Sequence, residues 1–274
     1  MEKRKRQCKF TIEQEKQIIQ QYKDGSSLRQ LGTKWGCNAS TISRILKAYK
    51  MNARTLSAAR RNTLGYSLDD NLFEHIDTPE KAYWLGVMYS DGYISKARYT
   101  NNFGLSISSK DEEWLEKFIT FLGYGTISRY QTTESSYTPG CAYSRVLIGN
   151  NKIVSDLEKW GVVEHKSKIL SCMPNISFKD DFVRGYIDGD GSLRKDYPCF
   201  QISGIYDFLQ DIADYLGVPY HINPDKNIFT LRYNRNESTY LEKRLYKNAV
   251  VYLERKYNIA KRSFTSPLTL EDVR

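Results

Sequence analysis

A mostly apolar segment that stops at an acidic residue followed by glycine occurs twice along the chain, at 82–92 and 182–191. Each copy holds two small residues four positions apart, Gly86 and Ser90 in the first and Gly185 and Gly189 in the second. Residues at this spacing share one face of a helix, and a face of small side chains lets two helix backbones approach closely. The pattern therefore predicts two helices that pack against each other.

The acidic residues at the ends of these segments, Asp91 and Asp190, would emerge side by side from such a pair. Two adjacent carboxylates repel each other unless one is protonated or a cation lies between them, and Mg²⁺ suits a site of carboxylates and phosphates. We therefore predict a metal site there. The glycines that follow, Gly92 and Gly191, are predicted to adopt a left-handed conformation at the helix ends. The simpler alternative is two core helices, each ending in a solvated acid.

Apolar positions also recur at helical spacing in three short segments of the first 50 residues. The first helix is predicted at 11–23, the second begins after Ser26 or Ser27 and continues through Trp35, and the third is capped by Ser40. This order resembles a helix-turn-helix, whose third helix enters the major groove of DNA. The candidate contacts to bases and phosphates are then Ser40, Thr41, Ser43, Arg44 and Lys47. A small helical bundle that binds protein is the alternative.

After each apolar segment the predicted elements recur in one order. Two strands, a helix, two further strands and a final helix follow Gly92, and the same series follows Gly191. The middle helix of each series is predicted at 112–122 and 206–216, and each is followed by a glycine. The repeated αββαββα order predicts an α+β fold built from two related halves.

The net charge of +9 is concentrated at the N-terminus. Residues 1–66 hold 15 Lys and Arg against 4 Asp and Glu, a net +11, whereas the remaining residues hold 26 against 28, a net −2. Basic segments are attracted to phosphate and gain affinity from counterion release, so we expect this region to bind nucleic acid. Arginines in the linker at 51–71 are candidates for the DNA backbone or minor groove: Arg54, Arg60 and Arg61. A solvated tether is equally compatible with the linker.

Cysteine and histidine usage argues against a zinc nuclease. The three histidines are isolated, and the five cysteines are scattered without zinc-site spacing: Cys8, Cys37, Cys141, Cys172 and Cys199. Free thiols in a reducing cytoplasm fit this usage. No apolar run has the length of a membrane span, and the basic start lacks the apolar stretch of a signal peptide, so we expect a cytoplasmic protein.

The two apolar segments resemble the signature motif of the LAGLIDADG homing endonucleases. WLGVMYSDG at 84–92 and VRGYIDGDG at 183–191 align to it without gaps. The final acid of the motif is the family's metal ligand, a role that the resemblance carries onto Asp91 and Asp190. The inner acid, mostly structural in the family, is Asp188 in the second copy but Tyr89 in the first.

This resemblance implies a monomeric enzyme. A helix-turn-helix domain at 1–50 and the linker at 51–71 would precede two pseudo-twofold halves, 72–174 and 175–274. Each half would lay an antiparallel sheet over double-stranded DNA, and polar strand positions are candidate contacts: Arg98, Arg129, Gln131, Arg145, Gln201, Arg232 and Arg235. Ordinary solvent-facing strand residues would follow the same pattern.

The resemblance also implies the reaction, which is a Mg²⁺-dependent, staggered double-strand cut at a long asymmetric site, with Mn²⁺ as a substitute ion. In the family, basic residues after the last helix of each half assist. Here these are Lys166 or Lys168 in the first half and Arg255-Lys256 or Lys261-Arg262 in the second, with Lys166 and Lys256 as the leading candidates.

Two other functions stay open at this point. A transcription regulator could keep the fold and lose cleavage, although both motif acids are present. An RNA maturase is the other, although a helix-turn-helix favours duplex DNA because the major groove of A-form RNA is too narrow for a helix. We expect no membrane association and no obligate protein partner. The ends of the chain lack the terminal His-Asn of a protein-splicing element, which favours a free-standing or intron-encoded protein.

Overall fold

The computed structural model describes residues 10–51, 68–96, 98, 100–132, 140–164, 166 and 170–274. The chain forms two compact units, Met1–Leu68 and Asp69–Arg274, which we call the N-terminal unit and the repeat unit. The predicted linker arginines Arg54, Arg60 and Arg61 lie outside the described residues, as does Lys168.

Three helices make up the described part of the N-terminal unit: α1 (Ile12–Lys23), α2 (Leu28–Lys34) and α3 (Ala39–Ala48). Their apolar faces meet in one cluster that includes Ile18, Leu31 and Ile42. The predicted helices at 11–23 and after Ser27 are confirmed, each with a capping box at its start.

The predicted start of the third helix is wrong by two residues. Asn38 is the residue that caps α3, because its carbonyl oxygen accepts the first helical hydrogen bond from Thr41 at 2.9 Å. The turn between α2 and α3 is tight because its backbone passes next to Gly32 of α2, which has no side chain. A Cβ on Gly32 would lie 2.7 Å from the carbonyl oxygen of Cys37. Ser40 therefore lies within α3, and Trp35 follows α2 rather than ending it.

The repeat unit contains the predicted series twice. The first half comprises α4 (Pro79–Ser90), β1 (Gly92–Ser95), β2 (Asn102–Ser108), α5 (Glu112–Leu122), β3 (Ser128–Gln131), β4 (Ala142–Gly149) and α6 (Asn151–Lys159). The second half comprises α7 (Lys179–Asp190), β5 (Gly191–Leu193), β6 (Phe200–Gly204), α8 (Tyr206–Leu216), β7 (His221–Asp225), β8 (Ile228–Arg232) and α9 (Arg235–Tyr246), followed by α10 (Glu254–Ala260).

The two sheets share one topology. The strand order is β1-β2-β4-β3 in the first half and β5-β6-β8-β7 in the second, and every neighbouring pair is antiparallel. The predicted α+β fold with a repeated αββαββα order is therefore confirmed.

The motif helices α4 and α7 pack against each other through their glycines, as predicted. A Cβ on Gly86 would lie 2.0 Å from the carbonyl oxygen of Phe182, and a Cβ on Gly185 would lie 2.0 Å from that of Tyr83. Real Cβ atoms do not approach a backbone oxygen this closely, so only glycine fits. Phe182 and Tyr83 occupy matching places in the two motif copies, so the two contacts are equivalent.

The predicted left-handed glycines at the ends of these helices are wrong. Gly191 has φ −84° and ψ 165° and begins β5 directly after α7, and Gly92 begins β1 after the single turn residue Asp91; neither glycine has a positive φ. Glycine is needed there because the strand leaves close to the last helical turn: a Cβ on Gly92 would lie 2.5 Å from the Cα of Met88. Left-handed glycines instead end the middle helices, with φ 64° at Gly123 and 69° at Gly217.

Candidate functional site

The C-terminal ends of α4 and α7 touch and bring Asp91 and Asp190 together. A Cβ on Gly189 would lie 2.0 Å from the Oγ of Ser90 and 2.9 Å from the Oδ2 of Asp91. Asp91 is half-buried, and Asp190 is more exposed and lines a cavity of about 190 Å³. The geometry places the two predicted acids next to each other at one end of the helix pair.

Two lysines reach the same point from opposite halves. The Nζ of Lys166 donates to the carbonyl oxygens of Ser90, at 2.9 Å, and Gly92. The Nζ of Lys256, on α10, donates to the carbonyl oxygens of Ile187, Asp188 and Gly191 at 2.5, 2.8 and 2.6 Å.

Each lysine therefore bonds to carbonyl groups that flank the acid of its own half. Lys166 does so around Asp91, and Lys256 does so around Asp190. The structure thus brings together Asp91, Asp190, Lys166 and Lys256, four residues that are distant in sequence. The alternative pair does not join them, because Lys261 bonds Asn258 and Arg262 pairs with Glu242.

Electrostatics couples the four groups. Burial, and after it the neighbouring Asp190, raise the pKa of Asp91 to about 6 against the opposing effect of Lys256 and Lys166. Burial also raises the pKa of Asp190, again against both lysines. Burial lowers the pKa of Lys256 to about 8 and lowers the pKa of Lys166 as well. Both acids are harder to ionise here than in water. A cation bound between them would favour their ionised forms and balance their negative charge.

The donor set fits a hard divalent ion whose shell is completed by a substrate. Asp91 and Asp190 offer carboxylate oxygens, the ligand type that Mg²⁺ prefers. Within the described residues, no group of three or more His, Cys, Asp or Glu could hold a metal ion by itself. Phosphate oxygens and water would have to supply the other positions, which is usual for Mg²⁺ at phosphate-transfer sites.

Asp188, the inner acid of the second motif, is fully buried and accepts three hydrogen bonds. The donors are the hydroxyls of Tyr83 and Tyr246, each at 2.7 Å, and the backbone N–H of Leu253 at 2.8 Å. At the matching position of the first motif, the Tyr89 hydroxyl donates to the carbonyl oxygen of Trp160. Asp188 and Tyr89 thus bond to other parts of the protein and do not join the pair formed by Asp91 and Asp190. This agrees with the structural role that the resemblance implies for the inner position.

Sequence reasoning missed Tyr186. This residue lies on α7 one turn before Asp190, and its hydroxyl donates to the carbonyl oxygen of Ser203 at 3.3 Å. Burial raises the pKa of Tyr186, and the adjacent Asp190 raises it further. The i, i+4 spacing to Asp190 was the available signal, but an aromatic residue in an apolar segment is normally assigned to the core.

Of the candidate strand residues in the first half, Arg145 lies on the sheet face that points away from the helices. It stands opposite Ser106 and Ser128, and its guanidinium lies 4.9 Å from the centre of the Tyr130 ring. Arg129 and Gln131 belong to the other face, since Arg129 stands opposite Ser144, whose side chain is fully buried. Arg129 also pairs with Glu112, the first residue of α5.

In the second half, Gln201 and Arg232 lie opposite each other on the face that points away from the helices, and His221 extends the same row. Two candidates were wrongly assigned to strands. Arg235 is the first residue of α9, although it lines a cavity of about 290 Å³ together with Arg232 and His221. Arg98 lies between β1 and β2 and is exposed.

In the N-terminal unit, Ser40, Arg44 and Lys47 are exposed on α3, whereas Thr41 and Ser43 are half-buried. The guanidinium of Arg44 donates to the Thr41 hydroxyl at 3.2 Å. Among the described residues, no helix has both the length and the apolar character needed to cross a lipid bilayer.

No protein-family model matches the chain, and no curated protein matches it. Several solved structures are similar to it. I-SmaMI bound to an uncleaved DNA target with calcium ions shares 14% sequence identity over 68% of this chain and 90% of that one, with a TM-score of 0.46. The LAGLIDADG meganuclease I-AabMI bound to uncleaved DNA shares 11% over 71% and 95%, with a TM-score of 0.46.

I-DmoI in complex with DNA and calcium shares 13% identity over 70% of this chain and 98% of that one, with a TM-score of 0.46. These three structural neighbours are LAGLIDADG homing endonucleases, the family whose motif the sequence resembles twice.

Proposed function

We propose that the chain is a LAGLIDADG-type homing endonuclease that makes a metal-dependent, staggered double-strand break at a long asymmetric DNA site. The observation that carries this proposal is the convergence of Asp91, Asp190, Lys166 and Lys256 at the touching ends of α4 and α7. Two related halves in one chain support a monomer that acts on both strands. Their different side chains support a target that lacks exact symmetry.

The proposed ion is Mg²⁺, with Mn²⁺ as a substitute, held by the carboxylates of Asp91 and Asp190. When bound, such an ion polarises the scissile phosphate and lowers the pKa of a bound water. Burial raises the pKa of both acids, and Asp190 also raises the pKa of Asp91, so a cation bound between them would stabilise their charged forms.

The lysines keep the acids ionised and add positive charge beside the phosphate. Lys166 and Lys256 both lower the pKa of Asp91 and of Asp190, so both acids are better metal ligands at neutral pH. Each ammonium is fixed by backbone carbonyl oxygens rather than by a flexible side chain. The positive charge therefore stays at one place while the DNA binds, which favours stabilisation of a negatively charged transition state.

The test begins with selection of cleaved sites from a random or genomic library, followed by incubation of the selected duplex with Mg²⁺ or EDTA. Asp91→Asn and Asp190→Asn are expected to abolish cleavage and to leave duplex affinity within about twofold, because the acids act on the reaction rather than on the bases. Asp207→Asn, at an exposed acid in the first turn of α8, is the matched control and should cut normally.

Other outcomes would assign another function. Loss of binding in either Asn variant would make the acids structural. Tight duplex binding without cleavage by the unaltered protein in Mg²⁺ would indicate a transcription regulator. Stronger binding to intron RNA than to duplex DNA, in direct competition, would indicate a maturase.

The N-terminal unit is proposed as a helix-turn-helix that adds affinity for DNA. Its basic excess and the exposed Arg44 and Lys47 on α3 support this role. Removal of residues 1–50 should weaken duplex binding and flatten the dependence of affinity on salt, because fewer counterions are released. Cleavage at saturating protein should persist. Unchanged affinity and salt dependence would mean that this unit binds something other than DNA.

A further inference from the structure

The inner position of the motif carries different residues in the two halves, Tyr89 and Asp188, and both touch the chain segment that leads to a site lysine. We propose that Tyr89 and Asp188 are positioning residues, and that each holds the lysine of one half so that the two strands can be cut independently. The second part of this proposal rests on the proposed nuclease function.

In the second half the connection is short. Asp188 accepts a hydrogen bond from the N–H of Leu253, the residue that precedes α10, and Lys256 lies three residues further on. The Nζ of Lys256 then returns to the carbonyl oxygen of Asp188 at 2.8 Å. Asp188 thus contacts the segment 253–256 twice. Its side chain bonds to the backbone at the start of α10, and its backbone carbonyl bonds to the ammonium group of Lys256.

Loss of the Asp188 carboxylate would leave buried donors without an acceptor. Tyr83 and Tyr246 are almost fully enclosed, and Leu253 is 2% exposed, so water cannot replace the missing oxygen without local opening. An unsatisfied buried donor is costly, and the segment able to relieve it by moving is the start of α10.

In the first half the polarity of the hydrogen bond is reversed. The Tyr89 hydroxyl donates to the carbonyl oxygen of Trp160, the residue that follows α6, and Lys166 lies six residues later in the sequence. Gly161 is the next residue, with φ 94°, and a Cβ there would lie 2.6 Å from the Tyr89 hydroxyl, so the chain passes directly over this side chain. A second tie, from the N–H of Lys96 to Glu164 at 3.0 Å, lies between Trp160 and Lys166.

Tyr89 and Asp188 can serve the same purpose in the two halves because they meet different backbone groups. Tyr89 meets a carbonyl group, and Asp188 meets an N–H group. A carboxylate can accept from the free N–H at the start of a helix, and a hydroxyl can donate to the free carbonyl at the end of one. The substitution in the first motif therefore keeps the function of the position while it changes the chemistry.

The first experiment measures backbone hydrogen exchange by mass spectrometry in the full chain without metal or DNA. Tyr89→Phe should speed exchange in the segment 160–164 about three- to tenfold, which matches the loss of one buried hydrogen bond, and leave 253–260 unchanged. Asp188→Ala should speed exchange in 253–260 by about tenfold or more, because several donors lose their acceptor, and leave 160–164 unchanged.

Two further variants separate positioning from general softening. Asp188→Asn keeps one of the two acceptor oxygens in a side chain of the same size, so it should restore part, but not all, of the protection that Asp188→Ala loses. Tyr246→Phe removes one bond to the same carboxylate but keeps the one from Leu253, so exchange in 253–260 should stay within about twofold of the unaltered protein. Faster exchange across the whole repeat unit, or no change in the expected segment, would overturn the proposal.

The second experiment follows each strand of the selected duplex separately in Mg²⁺. Tyr89→Phe and Asp188→Asn should each accumulate nicked duplex, and the slower strand should differ between the two variants. Equal slowing of both strands, or slowing of the same strand by both variants, would overturn the assignment of one lysine to one strand. If Asp188→Ala does not fold, this assay with Asp188→Asn decides the second half.

The two experiments fail in distinguishable ways. Absence of cleavage by the unaltered protein would remove the nuclease proposal, whereas the exchange pattern would still test the hold of Tyr89 and Asp188 on their segments.

Discussion

The two halves of the repeat unit match along their common axis and differ away from it. Gly86 and Gly185 make equivalent contacts, and each half places one acid and one lysine at the helix ends. One residue before each of these glycines, however, the first half has buried Leu85 and the second has buried Arg184. The comparison shows that the two halves share the residues at the close helix contact and at the candidate site. The neighbouring residues that pack around them differ in chemical type.

The two sheets differ in the same way. On the open face of the first sheet, Tyr130 and Tyr143 stack with their ring centres 5.2 Å apart, and Arg145 bonds to the Tyr130 hydroxyl at 3.2 Å. The open face of the second sheet carries the polar row of Gln201, Arg232 and His221. The first sheet therefore presents aromatic rings and an arginine that is already bonded to one of them. The second sheet presents side chains that can form hydrogen bonds.

The largest effect is expected where the halves are alike. Gly86→Ala and Gly185→Ala should each lower the free energy of unfolding of the repeat unit by about 3 kcal/mol, because each added Cβ meets a backbone oxygen of the partner helix that cannot move aside. Urea unfolding followed by tryptophan fluorescence, to which the buried Trp84 and Trp114 of the repeat unit contribute, measures this. Ser90→Ala is the control and should cost less than about 1 kcal/mol, since its hydroxyl only bonds carbonyl groups of its own helix. A large difference between the two glycine variants would break the equivalence of the contacts.

A smaller effect is expected where the helices differ. Arg184→Leu gives the second helix the residue of the first, and it should lower the free energy of unfolding by about 2 kcal/mol. The reason is that Arg184 donates to the carbonyl oxygens of Val251 and Leu245, each at 3.0 Å, and leucine leaves both without that donor. The same urea titration measures it. Unchanged stability would mean that the buried arginine is dispensable and that the two helices are interchangeable here.

The smallest effect concerns the choice of bases. Arg232→Ala should reduce discrimination at one position of its half-site by about 1 kcal/mol, the lower end of the range for a lost side-chain contact to a base edge. Arg145→Ala should have less effect on discrimination, because its guanidinium is already bonded to and stacked on Tyr130. Competition binding with duplexes that are randomised in one half-site at a time compares the two variants. A larger loss of discrimination in Arg145→Ala than in Arg232→Ala would mean that the arginine of the first sheet, and not that of the second, contributes more to the choice of bases.

The sequence was a good guide where spacing alone fixes geometry. The i, i+4 glycines predicted the packing of α4 against α7, and the repeated order of apolar, polar and glycine positions predicted both halves. The same reasoning failed at Gly92 and Gly191, because glycine after a helix usually signals a left-handed turn, whereas here it serves the close departure of a strand from Met88 and Ile187. It also failed at Ser40, because Asn38, two residues earlier, is an equally good capping residue.

By itself, the sequence predicted the helix pair, the α+β repeat and which two acids meet at the helix ends, because these depend on residues close together in the chain and on a period that repeats. Only the tertiary structure decided which of several basic residues joins the acids. It also decided that Arg129 and Arg145 lie on opposite faces, and that Tyr89 and Asp188 form hydrogen bonds to the backbone of Trp160 and Leu253. Those outcomes depend on strand register and on contacts between residues more than sixty positions apart, which no local pattern encodes.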